Sequence, residues 1–358
     1  MPNIGITLDS EKVNRLKEYL SWTDSKDSTE SDYWKKHSSL ISVKFDKNSV
    51  LLSGESGFYF PRELNLPNRF RNFFRLSPTR LSNYIFKGYR NLFSKPIDFL
   101  RTPQSAYENI WKRDPVTRRN LSSKFLGCNE LNNEILNFRT IKGMKRKWVA
   151  SKTHILSDVI IKSYFYLQLL ESTIQELRGG GSTVCEIGPG TGNLSSLFFY
   201  HFNTKLFLVD LPRTILFSFS YLSQSFPNAK ILLPNEIDVA NHELSEYDII
   251  MMTPDQTSII PDGTVDLTVN VHSMQEMVKE SIDFYFEMID RVTKPGGYFF
   301  SSNRVEKIMD GQPNRFSEYP WRPYTRTVFF EIDPLHRLVQ LDPLFIRLEQ
   351  YPKVFPVT

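Results

Sequence analysis

The segment TVCEIGPGTGN, residues 183–193, constrains this chain more than any other. An apolar, β-branched run ends in an acid, Glu186. Glycines follow at 188, 190 and 192, and an apolar helical pattern begins near Leu194. Glycines at this spacing let a chain leaving the carboxyl edge of a sheet turn sharply into a helix. They also leave no Cβ to hold the backbone away from a bound ligand. Strand, glycine turn and helix in that order are the signature of a parallel α/β sheet.

The same rhythm continues downstream. Strands are predicted at 183–187, 205–209, 248–252, 265–271 and 297–302, followed by an antiparallel pair at about 326–332 and 344–351. Upstream, 155–177 reads as a long apolar-faced helix stopped by the glycines of RGGG. Residues 1–20 carry a short amphipathic pattern (Val13, Leu16, Tyr19, Leu20), TDSKDSTESD is a polar break, and 41–60 alternates in short β-like runs. From about 60 to 150 the pattern is irregular and mostly helical, punctuated by prolines at 61, 67, 78, 96, 103 and 115. A boundary between 145 and 155 separates a mostly helical N-terminal substrate or cap region, 1–150, from a cofactor-binding domain, 151–358.

Composition narrows the class. With 40% hydrophobic and 14% aromatic residues the chain can fill a real core, which excludes global disorder. A net charge of +4 is too mild to imply nucleic acid by itself. Two cysteines, Cys128 and Cys185, form neither a disulfide framework nor a metal-spaced cluster, and Cys185 lies inside an apolar strand pattern, as a core residue does. The N-terminus lacks a basic-then-apolar signal region, and no apolar stretch reaches the roughly 18 residues of a membrane helix. A soluble, cytoplasmic protein with no transmembrane segment is expected.

The turn also discriminates between cofactors. The dinucleotide fingerprint is G-x-G-x-x-G, whereas here the pattern is E-x-G-x-G-x-G. An acid two residues before the first glycine suits a cationic ligand better than a pyrophosphate. LFLVDLP then ends the second strand in Asp210, a residue that can accept ribose hydroxyls in either cofactor.

Taken together, EIGPGTGN, VDLP and KPGGYFF (294–300) resemble the class I S-adenosylmethionine-dependent methyltransferases over about residues 155–358. The resemblance implies a Rossmann-like, seven-stranded α/β sheet closed by a C-terminal antiparallel hairpin, with S-adenosyl-L-methionine as cofactor. It places Glu186 and Gly188 near the methionine portion, within a loop completed by Gly190, Gly192 and Asn193. Asp210 would hold the ribose and Leu211 would pack near the adenosine. TPDQ, after the third strand, would supply adenine contacts from Asp255 and Gln256, although an ordinary Pro-Asp turn explains that tetrapeptide equally well.

The fourth strand would end beside the donor methyl group, at NVHSMQEM, residues 270–277. Asn270 reads as a cofactor or backbone contact. Ser273 and Glu276 fit a capping box, Ser273 capping a helix and Glu276 reaching back to the Ser273 amide, with catalysis as a second reading for the glutamate. His272 escapes that explanation: it reads equally as a structural histidine or as the principal candidate base, since an imidazole titrates near working pH. Gln275 is readable as a substrate contact or as helix surface. After the fifth strand, SSNRVEK offers Asn303, Arg304, Glu306 and Lys307 as a second group of substrate contacts, or as a solvated loop. A metal site built from Glu276 and Glu306 lacks any ligand spacing, and no metal is expected.

Over the whole chain the pattern is similar to a narrower group, the bacterial sugar O-methyltransferases associated with surface-polysaccharide synthesis. The residues that carry this are SDYWKKH, VDLP and N-x-x-S-M-Q-E-M. It implies a sugar hydroxyl as acceptor, free, nucleotide-linked or lipid-linked, and no nucleic acid. Residues 110–150 hold ten Lys/Arg against three acids, a net +7. That is a solvated surface by default and a phosphate or acidic-sugar contact if it faces the cleft, with Arg113, Arg118 and Arg119 as candidates. Trp111, Phe125 and Trp148 could stack on sugar rings or pack in a core. An RNA methyltransferase and a non-catalytic S-adenosylmethionine-binding regulator are the rival readings. The first lacks a recognisable RNA-binding motif, and the second would need a degraded glycine loop.

Overall fold

The computed structural model describes residues 4–24, 41–46, 49–53, 158–238, 243–309, 311–333 and 344–353. SDYWKKH, the 145–155 boundary and the basic segment with Arg113, Arg118, Arg119, Trp111, Phe125 and Trp148 lie outside the described residues.

Near the N-terminus, β1 (Ile4–Thr7), β2 (Ser42–Asp46) and β3 (Ser49–Ser53) form a small antiparallel sheet in the order β1-β3-β2. Between β1 and β2 runs α1 (Ser10–Asp24), whose buried stripe is Val13, Leu16, Tyr19 and Thr23. The amphipathic pattern is thus helical as expected. The strand β1, only four residues long, gave too short an alternation to find.

The principal sheet has eight strands in the order β12-β13-β9-β8-β4-β5-β7-β6. These are β4 (Thr183–Ile187), β5 (Lys205–Val209), β6 (Ile231–Leu232), β7 (Ile249–Met252), β8 (Val265–Val271), β9 (Thr293–Arg304), β12 (Arg326–Ile332) and β13 (Leu344–Gln350). Pairing is parallel from β6 through β9 and antiparallel at β9-β13-β12. The expected seven strands and closing hairpin are present. The eighth, β6, adds two residues at the edge, below the length at which periodicity can be read. A further pair, β10 (Glu306–Met309) and β11 (Gln312–Arg315), makes a separate two-stranded hairpin that the sequence did not announce.

Among the described residues four helices accompany the sheet: α2 (Asp158–Thr173), α3 (Asn193–Phe202), α4 (Pro212–Ser225) and α5 (Lys279–Val292). The predicted helix over 155–177 is α2 followed by a short 3-10 turn, Gln175–Gly179. Alternate strand residues enter opposite cores. Val184, Leu206, Leu208, Ile249 and Met251 pack with α1, α2, α3 and α4, whereas Cys185, Ile187, Phe207, Val209, Ile250 and Met252 pack with α5. Burial on both faces is why these strands read as continuous apolar runs. Cys185 is a core residue, and burial pushes its thiol up to about 12. Among the described residues no helix is long and apolar enough to cross a membrane.

Candidate active site

Chain direction fixes where a ligand can sit. From β4 the sheet grows one way through β5 and the other way through β8, so the carboxyl ends of β4 and β8 flank the crevice where such sheets bind ligands.

On the β4 side stands the glycine loop. Gly188 N–H donates to the Val209 carbonyl at 2.8 Å, and Gly190 N–H to Asp210 Oδ2 at 2.9 Å. Asp210 Oδ1 accepts the Leu211 N–H at 2.7 Å, so one carboxylate ties the loop to the start of α4. Both glycines hold left-handed backbones (φ 71° and 58°), but for different neighbours. A Cβ on Gly188 would collide with the Ser273 side chain, whereas a Cβ on Gly190 would meet open space. The first glycine serves packing within the protein, and the second presents bare backbone to the crevice.

Glu186 is buried and accepts a hydrogen bond from Ser195 Oγ at the first turn of α3. Burial pushes its carboxyl up to about 7, against the Ser195 hydroxyl and amide, which pull it down. Asn193, the first residue of α3, donates to Thr191 Oγ1.

Farther along the same edge, the 3-10 turn Pro254–Ile259 carries Asp255, which is exposed, and Gln256. The Gln256 amide serves its own turn: Oε1 accepts from Thr253 N and Oγ1 at 3.1 and 3.0 Å, and Nε2 donates to the Pro234 carbonyl at 2.9 Å. A residue that sequence reasoning assigned only to a helix stripe, Tyr19, also reaches this end. Its hydroxyl donates to the Pro212 carbonyl at 2.7 Å. Burial, reinforced by the Asp210 and Asp255 carboxylates, raises its ionisation far above the usual phenol. Nothing local in α1 could have shown that its partner lies 193 residues away.

On the β8 side, NVHSMQEM does not start a long helix. Met274–Glu276 is one 3-10 turn, and α5 begins only at Lys279. The capping box is corrected accordingly. The Ser273 hydroxyl donates to the Ile187 carbonyl at 3.1 Å and makes no cap bond, while Glu276 Oε1 accepts from Lys307 Nζ at 2.6 Å. Competing partners across the sheet outweigh a local cap. His272 is half-buried and adopts φ 63°, a left-handed conformation uncommon for a side chain with a Cβ. Its N–H is anchored on the Ser302 carbonyl at 2.8 Å.

Around His272 the neighbouring polar groups interlock. Asn270 Nδ2 donates to the Ile187 carbonyl at 3.0 Å and to Ser273 Oγ. Asn303, wholly buried, donates to Asn270 Oδ1 at 2.7 Å and accepts the Gln275 N–H at 3.0 Å. Gln275 Oε1 accepts the Arg304 N–H at 2.8 Å. Glu306 is exposed and paired with Arg315 at 2.5 Å, whereas Glu276 is held by Lys307. Among the described residues no group of three or more His, Cys, Asp or Glu could hold a metal ion.

The strand order and the glycine loop define the class I methyltransferase fold. No protein-family model matches the chain, and no curated protein does. Solved structures that it is similar to include an S-adenosylmethionine-dependent methyltransferase from Aquifex aeolicus, at 15% identity and TM-score 0.31, covering 50% of this chain and 88% of that one. Another is geranyl diphosphate C-methyltransferase from Streptomyces coelicolor in complex with Mg2+, geranyl-S-thiolodiphosphate and S-adenosyl-L-homocysteine, at 13% identity and TM-score 0.34, covering 57% and 84%.

Proposed function

We propose that the protein is an S-adenosylmethionine-dependent O-methyltransferase acting on a sugar hydroxyl, free, nucleotide-linked or lipid-linked, in bacterial surface-polysaccharide or other glycan synthesis. One observation carries the donor half of this reading: the glycine loop, closed by Asp210 and open at Gly190, leaves the carboxyl end of β4 beside the end of β8, where the His272 turn begins. The residues present fit the cofactor. Gly190 lets a ligand approach the backbone, and Asp210, which accepts the Gly190 and Leu211 amides, is the carboxylate beside it that would take a ribose hydroxyl. The bound donor would supply an electrophilic methyl group on a sulfonium. The chain's own work is then to align an acceptor hydroxyl with it and to take up the hydroxyl proton, for which the His272 imidazole is the group at hand. Because alignment contributes independently of the base, loss of His272 lowers turnover without abolishing it.

The sugar half rests on the sequence resemblance and on the basic segment 110–150. Incubation with methyl-labelled S-adenosylmethionine and, in parallel, sugar nucleotides, polysaccharide extract or bulk RNA tests it. Label is expected in the sugar fractions. Label in RNA alone overturns the acceptor class, and donor binding without transfer to any fraction overturns the assignment as an enzyme.

A further inference from the structure

We infer that Asn303 is a positioning residue for His272. It acts through Asn270 as a clip between the glycine loop and the segment that carries the candidate base. The inference rests on the reading of His272 as the residue at the donor methyl. The clip uses two side-chain amides from adjacent strands. Asn303 at the end of β9 sends Nδ2 to Asn270 Oδ1 at 2.7 Å and to Ser301 Oγ at 2.9 Å. Asn270 on β8 turns its own Nδ2 to the Ile187 carbonyl, the last residue of the strand before Gly188. On the other side Asn303 Oδ1 takes the Gln275 N–H at 3.0 Å, and Asn270 Oδ1 takes the Met274 N–H at 3.3 Å. The His272 N–H goes to the Ser302 carbonyl. Backbone amides 272, 274 and 275 are therefore all held by β8 or β9 groups, and none of these three bonds is a helical one.

This arrangement accounts for the backbone at His272. A left-handed residue persists only where its surroundings over-determine it, and here the chain is fixed on both sides of the ring. Asn303 is 0% exposed, which removes it from direct contact with an acceptor and leaves orientation as what it can contribute. Its chemistry is also directional. The amide must donate toward Asn270 and accept from Gln275, so a carboxylate of the same shape would set acceptor against acceptor at Asn270 Oδ1. If Asn270 flipped its amide to answer, it would lose its bonds to Ile187 and Ser273.

Asn303→Asp tests this, with S-adenosyl-L-homocysteine as the probe. The imidazole 1H–15N resonances of His272, assigned with His272→Gln, are expected to shift or split in Asn303→Asp, both free and with the probe. Affinity for the probe, by calorimetry, is expected to fall by no more than about tenfold, the worth of one hydrogen bond, because Asp210 holds the loop separately. A folded Asn303→Asp whose His272 resonances match those of the wild type overturns the inference. So does a large loss of probe affinity with those resonances unchanged. Should Asn303→Asp fail to fold, Asn303→Ser, which keeps a donor but cannot span both partners, is read by the same criteria. If the wild-type protein binds no S-adenosyl-L-homocysteine, the proposed donor fails, while the free-protein comparison of His272 still decides the role of Asn303.

Discussion

On the proposed reading the crevice has a donor wall and an acceptor wall, and the two are built on different principles. The donor wall, residues 186–193, is a backbone structure: its shape comes from left-handed glycines, and one carboxylate, Asp210, closes it. The acceptor wall, residues 270–276, is a side-chain structure, held by Asn270, Ser273, Asn303 and Gln275 reaching across strands. A wall of the first kind demands particular residue types at fixed spacing, because only glycine tolerates its torsions cheaply. A wall of the second kind needs amides and hydroxyls wherever the fold happens to bring them together.

Within the donor wall, two glycines separate protein packing from ligand approach, and alanine at each should give opposite phenotypes. Gly188→Ala combines left-handed strain of about 1–2 kcal/mol with overpacking against Ser273 of about 1–3 kcal/mol. A loss of about 3 kcal/mol or more in urea unfolding is expected, together with distortion of the acceptor wall that Ser273 belongs to. Gly190→Ala carries the strain alone and should lose only about 1–2 kcal/mol. Calorimetry should nevertheless show its affinity for S-adenosyl-L-homocysteine reduced by about tenfold or more, since the new Cβ occupies the open crevice. Equal stability losses in the two variants would remove the distinction.

Glu186 gives the donor wall a pH dependence. Its carboxyl, ordinarily near 4.5, is pushed to about 7 by burial. Below 4.5 it is protonated in both folded and unfolded chains. Between 4.5 and about 7 the unfolded chain releases the proton while the folded one keeps it, so the stability this group contributes is lost as pH rises and levels off above about 7. Over that window the loss is of order 3 kcal/mol. Glu186→Gln, which preserves an acceptor for Ser195, should flatten that part of the stability–pH curve. An unchanged slope in the variant would show that the buried carboxyl is not its source.

At His272 the left-handed backbone and the imidazole can be tested separately. His272→Gly relieves the torsion and should leave urea stability unchanged or raised by up to about 1 kcal/mol. His272→Asn keeps a residue tolerant of that torsion and should be neutral. Both should lose turnover by about a hundredfold, the ordinary contribution of a positioned base. A stability loss in both without a turnover loss would make the residue structural.

The sequence legibility of the two walls follows from their construction. Strands 183–187, 205–209 and 265–271, the closing hairpin and the glycine turn were all readable, because apolar alternation and glycine spacing are local properties. The contact of Tyr19 with Pro212 and the clip between Asn270 and Asn303 were not, because each joins residues that only the folded sheet makes neighbours. Ser273-Met-Gln-Glu276 satisfies the capping-box spacing, yet β4 and the β10–β11 hairpin supplied better partners for both side chains.

Glu276 is where the smallest effect decides the most. Its Oε1 accepts from Lys307 at 2.6 Å, and both side chains are half-buried. The pair pins the 3-10 turn to β10, assisted by Asn314, whose amide donates to the Met274 and Met277 carbonyls at 2.8 and 2.9 Å. With the turn held from Asn314 as well, Glu276→Gln should lose no more than about 1 kcal/mol of stability. Turnover should stay within about threefold of wild type, since the amide can still accept from Lys307. A catalytic carboxylate would behave otherwise, losing about a hundredfold or more with stability intact. Lys307→Met completes a double-mutant cycle. Coupling confined to stability assigns the pair to the scaffold of the acceptor wall, and coupling that appears in turnover moves Glu276 into the chemistry beside His272.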